Sequence, residues 1–140
     1  MDVRAAMPAA LLIDMDGVLF HGDCELPGAR VFLEAIAQRP HCFVTNNPIR
    51  PPASVARHFV RLGLPRPDPA TIVTSAEATA AWLASECPGY RYFAVGAPNL
   101  DRVLAQTGVA DADAADFVVV GEGPGIDFST LTTAINLVLG

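Results

Sequence analysis

At 140 residues with a net charge of −6, the chain is the length of one ordinary domain, for which ~100–200 residues is usual. Hydrophobic residues make up 51% and charged ones 17%, against ~25% charged in an average soluble domain; this excludes a disordered chain, and a partner or further polypeptide is expected to cover part of so weakly charged a surface. All nine basic residues are arginine, against fifteen acidic ones, a balance unsuited to neutralising nucleic-acid phosphates or to docking on an anionic membrane.

The first apolar run, Ala9 to Ile13, is broken by Asp14 and Asp16 and is too short for a signal core or a membrane span. Ala10 to Ile13 is continuous and unalternating, which predicts a strand covered on both faces. A glycine-containing loop is expected through Pro27. Ala29, Phe32, Leu33 and Ile36 recur at i, i+3, i+4 and i+7 and predict a helix, ended by Pro40. Cys42 to Thr45 reads as the second strand, and Asn46-Asn47-Pro48 as a turn. Ala53 to Leu62 reads as a helix with Val55, Phe59 and Leu62 inward, stopped at Gly63. Pro65, Pro67 and Pro69 mark a connector and a border between units at 1–68 and 69–140.

Thr71 to Thr74 then predicts a short strand, and Ser75 opens a helix with Glu77 at the positive end of its dipole. Tyr92 to Val95 and Phe117 to Val120 are further strands. The helix between them carries Leu100, Val103 and Leu104 and stops at Gly108. Ala110 to Ala115 is expected as a solvated turn, and Ser129 to Leu139 as a last helix. Strands alternating with helices predict an α/β fold, a Rossmann-like parallel sheet with helices on its faces. Cys24, Cys42 and Cys87 are odd in number and lack any Cys-x-x-Cys pair, which argues against a disulfide framework or structural zinc and for a reducing cytoplasm.

Ligands of open parallel sheets bind beyond the carboxyl ends of the strands. The first strand ends Ile13-Asp14-Met15-Asp16-Gly17. Two carboxylates at i and i+2 project to the same side of an extended chain, and such a pair is best tolerated beside a hard cation such as Mg²⁺. Gly17 permits a sharp turn that brings backbone N–H groups towards an anion. The second strand ends Val44-Thr45-Asn46-Asn47, offering a hydroxyl and two amides to phosphoryl oxygens. Singly, each motif reads as a routine turn; together, on successive strands, they point to a site.

Ile13-Asp14-Met15-Asp16-Gly17-Val18-Leu19-Phe20-His21-Gly22 resembles the first motif of the haloacid dehalogenase superfamily, in its NagD and p-nitrophenyl-phosphatase branch. Phe43-Val44-Thr45-Asn46-Asn47 resembles the second motif. Ile72 to Ala76 and Val118 to Gly121 resemble, more loosely, segments of the family's α/β cap. The resemblance implies the N-terminal half of a phosphatase core followed by the beginning of a cap. It implies a Mg²⁺-dependent phosphomonoester hydrolase working on a small phosphorylated metabolite. Asp14 would be the nucleophile and Asp16 the general acid and base. Thr45, Asn46 and Asn47 would bind phosphate, and Asp14 with the Asp16 carbonyl would bind Mg²⁺.

The family also needs a lysine and a later acidic motif, and the chain has no lysine. It is therefore expected to be one part of such an enzyme, lacking a C-terminal half or completed in a homo-oligomer, with its first strand left as an exposed edge. The alternative is a non-catalytic fragment that binds a phosphorylated ligand or a partner chain. A receiver-type phospho-acceptor fits the Asp14/Asp16/Gly17 spacing less well. Gly121-Glu122-Gly123-Pro124-Gly125-Ile126 imitates a dinucleotide loop, but Ile126 stands where Gly or Ala is needed. Asp116 and Asp127 are not taken as metal ligands. His21, His41 and His58 are read as solvated, Cys42 as a small buried hydrophobe, and Trp82 as packed.

Overall fold

The computed structural model describes residues 10–140, so Ala9 of the first apolar run lies outside the described residues. The chain divides into two compact units, one of residues up to Thr45 with Pro52–Val73, the other of Asn46–Pro51 with Thr74–Gly140. One border falls inside the strand Ile72–Thr74, whose Ile72 is buried in the core of the first unit.

The first unit starts with β1 (Leu11–Asp14), then a hairpin of β2 (Phe20–His21) and β3 (Cys24–Glu25), α1 (Ala29–Ile36), β4 (His41–Thr45), α2 (Pro52–Arg61) and β5 (Ile72–Thr74). The sheet order is β1-β4-β5, and β1 runs parallel to β4 with Asp14 opposite Val44. Ile13 turns into a core shared with Leu33 of α1 and Phe59 of α2. Phe59 meets the rings of Phe20 and Phe43 edge-on, at 5.6 and 5.3 Å between centroids, the geometry aromatic quadrupoles favour. Leu12, pointing the other way, is 79% exposed. The expectation of a strand covered on both faces is thus corrected: within the described residues β1 has one covered face and one strand neighbour.

Two further expectations change here. The segment from Phe20 to Glu25 is an antiparallel hairpin pairing Phe20 with Glu25 and His21 with Cys24, where a loop was expected. His58, expected in solvent, is 3% exposed, because it lies on the stripe of α2 that buries Val55, Ala56 and Phe59. His41 and Cys42 are half-buried.

In the second unit, α3 (Ser75–Glu86) and α4 (Pro98–Leu104) accompany β6 (Arg91–Val95), β7 (Val109–Ala110) and β8 (Phe117–Val120), and α5 (Phe128–Leu139) follows. The sheet order is β7-β6-β8, with both pairings parallel. Ala76, Ala80 and Leu83 of α3 pack with Tyr90, Tyr92, Leu100, Val103 and Leu104; Trp82 falls outside this stripe and is exposed, contrary to expectation. Thr74 and Glu77 cap α3 reciprocally, satisfying N–H groups that a helix start leaves unpaired. Asp127 and Thr130 do the same for α5, and the hydrogen bonds from Thr130 hold the Asp127 carboxyl below its ordinary range. Asp116 receives a bidentate hydrogen bond from Arg91, at 3.1 and 3.4 Å, which lowers its carboxyl likewise. Both acids thus have structural partners in the second unit.

Tyr92 is fully buried, and its hydroxyl donates to Asp101 at 3.1 Å. Burial, then the Asp101 contact, pushes the phenol from 10.0 up to about 12. The folded state therefore keeps this proton where the unfolded chain loses it, so stability is expected to fall as pH rises from 10.0 to about 12. Chemical denaturation along that pH series should show the decline, and Tyr92→Phe should flatten it. An equal decline in the variant would assign the effect elsewhere.

Candidate active site

Because β1 and β4 are parallel and end together, the register that sets Asp14 opposite Val44 brings Asp14 and Thr45 to the same end of the sheet. Beyond β1 the chain alternates sides: Asp14 and Asp16 are exposed while Met15 between them is buried. The two carboxylates therefore share the open side, as the i, i+2 spacing predicts. The Asp14 carboxylate is oriented by its own neighbour, the Met15 N–H donating to Oδ1 at 2.8 Å.

The turn that follows is built on one carbonyl. Met15 O accepts from the N–H groups of Val18, Leu19 and Phe20 at 3.3, 2.9 and 3.3 Å. Gly17 makes this possible with φ of 79°, a region that side chains disfavour; a Cβ there would meet nothing within 4 Å, so the requirement is conformational. The Gly17 N–H donates to Phe20 O at 2.7 Å, fixing the start of the β2–β3 hairpin. His21, on that hairpin, sets Nδ1 3.7 Å from Asp16 Oδ1, with both side chains in solvent.

Asn46 and Asn47 follow Thr45 directly and are grouped with the second unit. There the Ser75 hydroxyl donates to the Asn46 carbonyl at 2.7 Å, an anchor that sequence reasoning missed. Asn47 Oδ1 accepts from the Ile49 N–H at 2.8 Å, so this amide shapes a turn. Asn99 Nδ2 donates to the Pro48 carbonyl at 2.8 Å. Asn46 and Ser75, with Thr79 and Glu122, line a cavity of about 380 Å³ in the second unit.

No group of three or more His, Cys, Asp and Glu side chains that could hold a metal occurs among the described residues. Asp14 and Asp16 remain a hard oxygen pair. That suits Mg²⁺, which takes one or two carboxylates and fills the rest of its shell with waters and substrate oxygens. Among the described residues no helix is long and apolar enough to cross a membrane.

The chain is thus an α/β protein of parallel strands and helices, with paired carboxylates at the end of its first strand. Residues 11–110 match the haloacid dehalogenase-like hydrolase family, and the chain belongs to it. It is 35% identical over 129 residues to the acid sugar phosphatase of Staphylococcus saprophyticus, a match covering 89% of this chain and 49% of that protein. NagD from Escherichia coli K-12 superposes with a TM-score of 0.85 at 29% identity, over 93% of this chain and 52% of that one. The glycerol phosphate phosphatase of Mycobacterium tuberculosis, solved in complex with magnesium, gives 0.84 at 32% identity, over 93% and 41%. The chain thus spans about half the length of the relatives it matches.

Proposed function

We propose that this chain supplies the nucleophile-bearing half of a phosphomonoester hydrolase that works through an aspartyl-phosphate. The observation that supports the reading is the parallel register that sets Asp14 opposite Val44, so that β1 and β4 end together, with Asp16 exposed two residues further on. An Asp14 carboxylate oxygen attacks phosphorus, and the bond from phosphorus to the substrate oxygen breaks. Asp16, protonated at that stage, delivers its proton to the departing oxygen. Asp16 then takes a proton from water, whose oxygen attacks the same phosphorus and releases phosphate, restoring Asp14. Thr45, Asn46 and Asn47 hold phosphoryl oxygens through hydroxyl and amide donors.

Mg²⁺ would be held by the Asp14 carboxylate and the Asp16 main-chain carbonyl, and when bound it offsets charge on the transferring group. In this reading residues 1–68 contribute half of a catalytic core and residues 69–140 begin a cap. The substrate is a small phosphorylated metabolite of a cytoplasmic enzyme, with a homo-oligomer or a C-terminal half completing the site. The sequence contains no lysine, and in this reading the balancing cation comes with the homo-oligomer or the C-terminal half.

The test is a fusion of residues 1–140 to the part of the Staphylococcus saprophyticus acid sugar phosphatase that lies beyond its match. With Mg²⁺ and an aryl phosphate, the fusion is expected to release phosphate and the unfused chain to release none. A folded fusion that binds phosphate without turning it over would replace the enzyme reading with that of a phosphoryl-binding fragment. Turnover by the unfused chain would show that an arginine supplies the missing charge.

A further inference from the structure

Every hydrogen-bonding atom of one buried histidine in the first unit is committed, and its partners dictate its protonation. His58 Nε2 stands 2.9 Å from the carbonyl of Gly22, thirty-six residues earlier in the chain. A carbonyl only accepts, so Nε2 carries the proton. His58 Nδ1 stands 3.0 Å from Nη2 of Arg61, one turn along α2. A guanidinium only donates, so Nδ1 presents its lone pair. The ring is therefore neutral and held as one tautomer. Its faces are packed too, with the Phe20 ring edge-on at 5.0 Å.

The carbonyl it holds is at the tip of the β2–β3 hairpin. His21 pairs with Cys24, leaving Gly22 and Asp23 as a two-residue turn. Gly22 has φ of 57° and Asp23 has no positive φ, the sign pattern of a type II′ turn. An isolated two-stranded hairpin is marginal in water, and this one pairs two residues with two. Its base is tied by the Gly17 N–H to Phe20 O and by the Leu26 N–H to Leu19 O at 3.0 Å. Its tip is tied by His58.

We infer that His58 is a positioning residue, a neutral Nε2–H latch from α2 that fixes the turn of the β2–β3 hairpin and with it the placement of His21 beside Asp16. Two charged groups face Nδ1, and of these Arg61, at 3.0 Å, is within hydrogen-bond reach while Asp23 is not. Arg61 faces Nδ1 from α2, and Asp23 Oδ1 lies 3.7 Å from the same atom on the hairpin side, itself in solvent. Arg61 thus occupies the ring's acceptor and keeps Nε2–H directed at the turn. The consequence for proton transfer by Asp16 rests on the phosphatase reading above; the latch itself does not.

The experiment uses the 140-residue chain. Nitrogen-15 histidine spectra at neutral pH are expected to show His58 as the Nε2–H tautomer, a signature that apolar packing alone would not select. Amide exchange is then followed at Leu26, with Phe43 of β4 as the internal reference for the core. His58→Leu keeps apolar bulk and removes the donor. It is expected to speed exchange at Leu26 relative to Phe43 by about 2- to 10-fold, the net worth of one hydrogen bond. His58→Gln, which can present an amide N–H at the same reach, is expected to restore most of the protection.

An Nδ1–H tautomer in the unsubstituted chain would overturn the inference whether or not either variant folds. So would equal acceleration at Leu26 and Phe43, or a glutamine variant indistinguishable from leucine. None of these outcomes depends on phosphatase activity, so failure of the latch and failure of the enzymatic reading are separately visible.

Discussion

Asp14→Asn is expected to bring phosphate release by the fusion to background, a loss on the order of 10⁶-fold if it matches other deletions of a nucleophile. The substitution keeps the shape of the side chain and its Oδ1 acceptor, so the 2.8 Å hydrogen bond from the Met15 N–H survives and β1 keeps its pairing with β4. What is lost is the anionic oxygen that bonds to phosphorus. An amide is a poor nucleophile, and no other carboxylate stands in its place: Asp16 lies two residues on, past the buried Met15. Unfolding midpoints of the two proteins should coincide while their rates diverge. Residual turnover within 10-fold of the unsubstituted fusion would remove Asp14 from the role.

The features that locate this site were legible because they are local. Asp14, Asp16 and Gly17 announce a strand end and a turn by residue type alone, and the parallel register follows from strands that alternate with helices. The features that were not legible depend on partners distant in sequence. Gly22-Asp23 between Phe20-His21 and Cys24-Glu25 is a two-residue hairpin signal, masked by the Asp14-Met15-Asp16-Gly17 turn in front of it. β7 is only Val109–Ala110, and its existence depends on pairing with Arg91 and Tyr92 of β6.

His58 shows the same division. Position 58 sits three residues after Val55 and four before Leu62, a spacing that fits the apolar stripe of α2, but it is not counted among the inward residues. Its chemical type argued for solvent, and the Gly22 carbonyl that compensates its burial could not be seen from α2. Leu12 errs the other way. An unbroken apolar run reads as a doubly covered strand, yet among the described residues only the Ile13 side of β1 is packed. Pattern reports what a strand is suited to pack against, and the neighbour has to be present for the packing to be seen.

Asp16→Asn is expected to be severe in a way that depends on the substrate. The carboxyl at 16 has two tasks in the proposed cycle, delivering a proton to the departing oxygen and later drawing one from water, and an amide performs neither. General acid–base catalysis is typically worth ~10²–10⁴-fold, so an alkyl phosphate, whose alkoxide leaves poorly, should lose that much in its first step. An aryl phosphate departs as a weakly basic phenolate and needs little help. Its first step should be nearly intact, while hydrolysis of phosphorylated Asp14 still stalls. The expected trace for the aryl substrate is a burst of one phenolate per active site followed by slow release of phosphate, with intact-mass measurement showing phosphorylated protein during the stall. The Asp16 side chain is exposed and sets Oδ1 3.7 Å from His21 Nδ1, so the fold should tolerate the change. Equal loss for alkyl and aryl substrates, with no burst, would mean that position 16 acts on binding and that the proton is moved by another group.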